Sequence, residues 1–502
     1  MNLHASQSEI DVLEDVLRQS HPGSGLVAAK VALAWHLRQR DSGRALRLVQ
    51  DVMPVVRSPA RGDAVASCRA RAALAAAEAS ALFGEMAEAE RCLADARGHL
   101  DPAWDPQAEG DSWLVEAVVA RTRGQADRLL AALRQAWRCF ERSKDRSRLE
   151  IARAWIEFEM LAAHPERRAA GDAAAAAGEP DVARDAIQAA AQAFALACGN
   201  PAAATRAFAR AAELARSRGL VMLEVTCTLE SGALVHELGD YDRAARCFDA
   251  AALQARATGW PVLVAACDTH LGALLCDLGA FDESRRTLEE AVETLSVRQR
   301  GGLLARAHAA LARTLLACSR TGEAVAQMDA AMAVLRTVGG QRDLASNLVL
   351  HARVLAAAAQ PDRAADVLAE ARSLVESGGL EATRIALCQA QADMHHRFTL
   401  PRPPDMTLPT AALHFAEEAL ARGRHLTGWN PLAAALDFLA ERWAEAGDHE
   451  RAYGYARRAL SAKDRETAQK MSYPLALLRV RRHAEVRAGP DSASTPSAAS
   501  PH

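Results

Sequence analysis

The chain has 502 residues, a formal net charge of −3 and 50% hydrophobic residues, yet only 4% of it is aromatic. Alanine fills the gap with 116 residues. It is the best helix former, whereas aromatic residues favour strands, so the composition excludes an all-β fold and argues against a mixed one. A charged share of 25% is that of a globular chain, and the near-neutral balance argues against a nucleic-acid binder of the basic-patch kind. Only four of the sixty cationic residues are lysine, a skew we read as genomic composition.

The first segment, MNLHASQSEIDVLEDV, is acidic and lacks the basic start and apolar core of an export signal. No uncharged apolar run is long enough to cross a bilayer. The expectation is a cytoplasmic chain with no membrane contact. The ten cysteines show no CxxC pair; Cys227, Cys247, Cys267, Cys276 and Cys318 sit at helix-core spacing among alanines, as small buried hydrophobes do. Residues 1–25 read as a helix and a loop. Within them Gly23, Gly25 and Ala28 fit GxGxxA, but a helix-like segment and not a strand precedes it. A dinucleotide fingerprint needs strand, turn and helix, so the expectation is a plain loop.

From residue 26 the chain repeats itself. LGDYDRAARCFDAAALQARATG (238–259), LGAFDESRRTLEEAVETL (278–295), CSRTGEAVAQMDAAMAVLRTVG (318–339) and AAQPDRAADVLAEARSLVESG (358–378) align at Gly239, Gly279, Ser319 and Ala359, a constant interval. The same frame reaches back through Gly199, Ala163, Gly124 and Gly84 to Arg40, and on to Met406 and Gly447. Units of about 40 residues in such number cannot be separate domains; each is one supersecondary element that needs its neighbours. On both sides of each anchor apolar residues recur at helical spacing, as in Leu263, Cys267, Leu271 and Leu274 before Gly279, and Leu288, Ala291 and Leu295 after it. The spacing predicts eleven antiparallel helix pairs, each turning at a C-cap residue followed by an N-cap-type one. Unit 150–199 departs most: its segment 168–177 is nearly pure alanine and polar residues. A Pro-rich insert interrupts 400–409. A basic helix (465–488, with Arg479, Arg481, Arg482 and Arg487) and a disordered Ser/Ala/Pro tail (489–502) are expected to close the chain.

Small residues hold fixed places. Seven before the anchor stand Ala77, Ala117, Gly232, Gly272, Ala312 and Ala352; five after it Ala244, Ser284, Ala324 and Ala364; twelve after it Ala96, Ala136, Ala251, Ala291 and Ala331. A larger apolar residue stands nine after: Leu93, Leu133, Phe208, Phe248, Leu288, Met328, Leu368 and Phe415. Small side chains let helices approach, and the larger one fills the gap.

These positions resemble the tetratricopeptide pattern over residues 26–464. The long unit is closer to the long-helix variants in bacterial maltose-activator-type regulators and phosphatase-type quorum receptors. LAWHLRQRDSGRALRLV (33–49) and HERAYGYARRALSAKDRE (449–466) are similar to the arrays preceding diguanylate cyclases and histidine kinases. The resemblance implies an all-α fold, a right-handed α-α superhelix whose first helices line a concave groove, and a signalling effector acting in trans. It places in that groove Arg306, Arg313, Ser346 and Arg353, and, in preceding units, His236, Glu237 and Asp277. The three arginines would clamp a carboxylate or phosphate beside an acidic half, a polarity suited to an extended peptide; charges scattered over a solvated face are the plainer reading.

No phosphate-loop, HExxH or GxSxG spacing occurs. His395 and His396 are adjacent and diverge by about 100° on a helix, so they read as a helix-end pair and not as metal ligands. Trp260 and Trp429 each follow a unit-ending Gly and read as structural, packing over inter-unit loops ahead of Pro261 and Pro431. The expectation is a non-catalytic scaffold for a protein or peptide, with no cofactor or metal and its oligomeric state open. A receptor for a small ligand held in the groove is the alternative, and an enzyme with a dispersed site the remote one.

Overall fold

The structure is a computed structural model that describes residues 2–19, 24–56, 63–100, 105–163, 181–197, 200–298, 301–338, 341–378, 381–403, 406–425, 429–470, 474, 476 and 477. Among these residues the chain is all α, without a strand. After α1 (Gln7–Gln19), the helices pair in chain order. The first pairs are α2 (Ser24–Leu37) with α3 (Ser42–Val56), α4 (Asp63–Phe83) with α5 (Met86–Arg97), and α6 (Pro106–Arg123) with α7 (Ala126–Ser143). A lone helix, α8 (Arg146–Ala163), follows. Then come α9 (Val182–Ala197) with α10 (Pro201–Arg218), α11 (Val221–Glu237) with α12 (Tyr241–Thr258), and α13 (Pro261–Asp277) with α14 (Phe281–Val297). The last four pairs are α15 (Gly301–Ala317) with α16 (Thr321–Val338), α17 (Gln341–Ala357) with α18 (Pro361–Gly378), α19 (Glu381–Arg397) with α20 (Ala411–Gly423), and α21 (Ala433–Glu445) with α22 (His449–Lys470).

The described residues form ten of the eleven expected pairs. The segment expected to partner α8, 168–177, lies outside them, as do Gly199, Arg479, Arg481, Arg482, Arg487 and the tail 489–502. α8 packs on α7 and α9. A correction concerns Gly25 and Ala28: they lie inside α2, not in a loop.

Seven of the anchors are left-handed residues that reverse the chain within their pairs. Gly84, Gly124, Gly239, Gly279 and Gly447 have φ between +71° and +84°, the region that glycine enters without strain. Ser319 and Ala359 occupy the same place at φ +61° and +55°, so the register, not the residue, sets the conformation there. Asp240 and Asn200 cap the following helices, accepting from Arg243 and Ala203 backbone N–H groups at 3.1 and 3.0 Å.

The fixed small and large positions meet inside each pair. A Cβ placed on Gly272 would stand 2.5 Å from Leu288 Cγ, and one on Gly232 2.6 Å from Phe248 Cε1. The alanines twelve after the anchor (Ala96, Ala136, Ala251, Ala291, Ala331) are buried. Ser284, the one serine among the alanines five after, is buried too. Its hydroxyl bonds Gly272 O at 2.7 Å and Thr314 Oγ1 at 2.8 Å, tying three helices together. Among the five cysteines singled out, Cys227, Cys267 and Cys276 are buried and Cys247 and Cys318 half-buried.

The array winds tightly enough for successive turns to touch. Arg40 lies against Gly219, Phe83 Cε1 is 3.6 Å from the Cβ position of Gly259, and Gly301 N is 3.8 Å from that of Gly124. Arg298 Nη1 donates to Phe83 O at 2.9 Å. Trp260 Nε1 donates to Ser42 Oγ at 3.1 Å, far along the chain. Each of these contacts joins units four to six apart in the array, so one superhelical turn is short and its interior is narrow.

Candidate binding site on the inner face

The first helix of each pair faces the interior. There α4, α6, α8, α9, α11, α13 and α15 enclose a cavity of about 260 Å³. Four aromatic side chains dominate its wall: Trp155, Phe158, Phe194 and Trp260. Trp155, Phe158 and Phe194 run edge to face, with centroids 5.3 and 5.5 Å apart. Leu229, Leu263 and Leu303 fill the spaces between them.

The polar groups at this wall are paired across helices. Arg121 donates to Glu159, and its guanidinium lies over the Trp155 ring at 4.3 Å. Arg306 Nη1 lies 3.6 Å from Glu230 Oε1, and that carboxylate raises the Arg306 pKa. His270 also lines the cavity; burial, then the positive Arg306, push its pKa down to about 3. Its imidazole is neutral at physiological pH. The resulting site is apolar at its centre and holds fixed, mostly compensated charges at its edge.

The groove residues expected from sequence fall into several groups. His236 Nε2 and Asp277 Oδ2 are 2.7 Å apart. Arg313 Nη2 reaches the same Asp277 oxygen at 3.5 Å and donates to Ala273 O at 3.1 Å. Burial works against the charge of Asp277, but His236 and Arg313 hold its pKa below the usual range. Glu237 is exposed at the end of α11. Ser346 Oγ shares a hydrogen bond with Thr383 Oγ1 at 3.1 Å. Arg353 is exposed and lines a different cavity of about 210 Å³, with Asp393, Trp429, Pro431 and Phe438. The acids and arginines are thus interleaved, Arg306 with Glu230 and Arg313 with Asp277, and Arg353 belongs to a second pocket.

Trp260 caps the start of α13 and is buried. Its contact is Ser42 in the adjoining superhelical turn and not only its own inter-unit loop, and it lines the cavity as well. Trp429 packs over Gly423, where a Cβ would collide with its ring. His395 and His396 end α19; among the described residues no group of three His, Cys, Asp or Glu side chains is placed to hold a metal. No described helix is long and apolar enough to cross a membrane. Sequence reasoning missed Trp155, Phe194, Glu230 and His270. Their only signal was a place on first helices, because the cavity exists only once distant units meet.

No protein-family model and no curated relative matches the chain. Solved structures are similar in outline. A Rap protein complexed with competence and sporulation factor is 13% identical, covering 89% of this chain and 100% of its own, at a TM-score of 0.39. Aspartyl phosphate phosphatase F from Bacillus subtilis is 10% identical, covering 89% and 96%, at 0.40. The anaphase-promoting hetero-tetramer Cut9–Hcn1 is 12% identical, covering 93% and 86%, at 0.46. Likenesses this loose decide nothing about a ligand, so the site is read from the chain's own residues.

Proposed function

We propose that the chain is a non-catalytic binding module of the cytoplasm that holds an extended peptide or protein segment along its inner face. The observation that carries this reading is the cavity of about 260 Å³ walled by Trp155, Phe158, Phe194 and Trp260. Rigid aromatic walls with a few placed polar groups are what an apolar anchor side chain needs. The first-helix polar groups supply the rest: Arg306, Glu230, His236, Asp277 and Arg313 run across successive units, spaced for a segment lying over the array. Arg306 and Arg313 already have partners, so a ligand carboxylate would exchange with Glu230 or Asp277 and not fill an empty clamp. Such a module supplies a docking surface and leaves signalling output to an effector in trans. The cavity's size also suits a compact apolar small molecule, which is the second reading.

Selection of displayed random peptides against the intact chain tests the first reading. Ala266 lines the cavity, and Ala266→Phe fills it. Peptides enriched on the parent should carry a large apolar residue and bind the filled variant at least tenfold more weakly. If no peptide is enriched, but metabolite pools raise the melting temperature of the parent and not of the filled variant, the small-molecule reading replaces it. If neither happens, both readings fall.

A further inference from the structure

The chain's own N-terminal segment packs against the array beside the cavity. Residues 2–5 precede α1 without helical structure and lie among the first helices of the N-terminal units. Their backbone is held by side chains of the array. Trp35 Nε1 donates to Asn2 O at 3.1 Å, Arg38 Nη1 to Leu3 O at 3.2 Å, and Arg40 Nη2 to Ala5 O. Three carbonyls of this short segment are thus read by one helix end, in a manner indifferent to the segment's own side chains.

Side chains give the selectivity. Leu3 and Ala5 are 5% and 2% exposed; Ala5 clusters with Ile10, Leu33, Leu37 and Ala45. Leu3 enters a niche with Trp35, Leu114, Trp155 and Leu223. That niche adjoins the 260 Å³ cavity, sharing Arg121, Trp155, Met222 and Leu223 with it. The hosts are fixed in advance: Trp35 lies between the guanidiniums of Arg38 and Arg71, 3.8 and 4.7 Å from its ring. Arg38 is anchored to Glu78 at 2.7 Å with both side chains nearly fully buried. The segment is tethered just beyond Ala5, where Ser6 N and Oγ donate to Glu9 Oε2 at 2.6 and 2.9 Å, a capping box that starts α1.

We propose that residues Asn2–Ala5 are a cis occupant of the peptide site, and that the site's external ligand is an extended segment of the same pattern: an apolar side chain two positions ahead of a small one, bound through its carbonyls. This rests on the inner face being a peptide site. Tethering gives the cis segment an effective concentration of about millimolar, so an external peptide competes only when it also fills the neighbouring cavity. The cis segment therefore sets the affinity threshold of the module.

A labelled peptide of residues 2–8 (NLHASQS), added to the full chain, tests this by fluorescence anisotropy. Leu3→Asp with Ala5→Asp should free the site in cis. That variant should then bind the peptide saturably, at least tenfold more tightly than the parent, and a peptide carrying Leu3→Asp should not bind. A second variant with residues 2–5 replaced by Gly-Ser-Gly-Ser guards against misfolding from the new charges, with helicity and melting compared with the parent. No binding by either folded variant, or equal binding by the parent, overturns the proposal. If that occurs while selected peptides still distinguish the parent from Ala266→Phe, the peptide-binding module stands and only the cis occupancy falls.

Discussion

Units 239–359 and units 40–163 keep nearly the same spacing but are held together differently. In the first group two pairs close by glycine, Gly232 on Phe248 and Gly272 on Leu288. In the second, Gly110 closes on Phe140 in the same way, and buried charge also joins helices. Arg148 Nε bonds Asp111 Oδ1 at 2.8 Å, Arg71 pairs with the same fully buried carboxylate, and Arg38 with Glu78. The charge-joined units hold the N-terminal segment, and they are the ones on which the following superhelical turn rests. A repeat array is stable through nearest-neighbour terms, and here a second set of terms acts across a full superhelical turn.

The sharpest way to break this contrast is Asp111→Ala. It removes the buried carboxylate that Arg148 and Arg71 share, while Arg148 keeps Asp145 at 3.0 Å; the loss should lie near the lower end of the about 3–5 kcal/mol for breaking a buried pair. Hydrogen exchange in denaturant should show α6–α8 opening first, with α15–α18 little changed; uniform loss across the array would erase the distinction.

Acid acts next. The folded pKa of His270 is pushed down to about 3, below its unfolded value near 6.5. Its contribution is complete above that unfolded value and is lost as pH falls through it, because the unfolded chain takes up the proton. The loss reaches up to about 1.4 kcal/mol per pH unit. His270→Gln should flatten the denaturation midpoint between pH 6 and 4, and an unchanged slope would place the titration elsewhere.

Gly272→Leu and Ala312→Leu should each cost about 1–3 kcal/mol by overpacking. Leu288→Ala should restore part of the loss at Gly272, a coupling read from a double-mutant cycle. Parent-like melting of both single variants would refute the register.

Two glycines separate closure from turn geometry. Gly279 is left-handed in open space, whereas Gly219 is left-handed against Arg40. Gly279→Ala should cost about 1 kcal/mol, and Gly219→Ala clearly more; equal losses in thermal melts would argue against the contact between turns.

The smallest effect is a gain. Ser319→Gly and Ala359→Gly remove a left-handed strain of about 1 kcal/mol against a somewhat smaller unfolded-state entropy cost. Each should raise the melting temperature slightly, and a lowered one would show that these side chains stabilise the turn by contacts.

Much of the architecture was legible because it is local. Alanine richness, helical periodicity and a small residue facing a large one across a turn are all written within a single repeat unit, so the helix pairs, the turn anchors and the core positions Leu288, Phe248 and Met328 could be read directly. The inner-face positions of Arg306, Arg313, His236 and Asp277 could be named for the same reason, but not who pairs with whom. Asp277 is shared by His236 and Arg313, and Glu230 meets Arg306, through distances that depend on the angle between stacked units. The sequence by itself determined the period, since periodicity is a property of neighbouring residues. Only the tertiary structure decided the tight winding that sets Trp260 on Ser42, closes a cavity between Trp155 and Phe194, and seats Leu3 inside. Each of those contacts sums small rotations over several units, and no single unit records the sum.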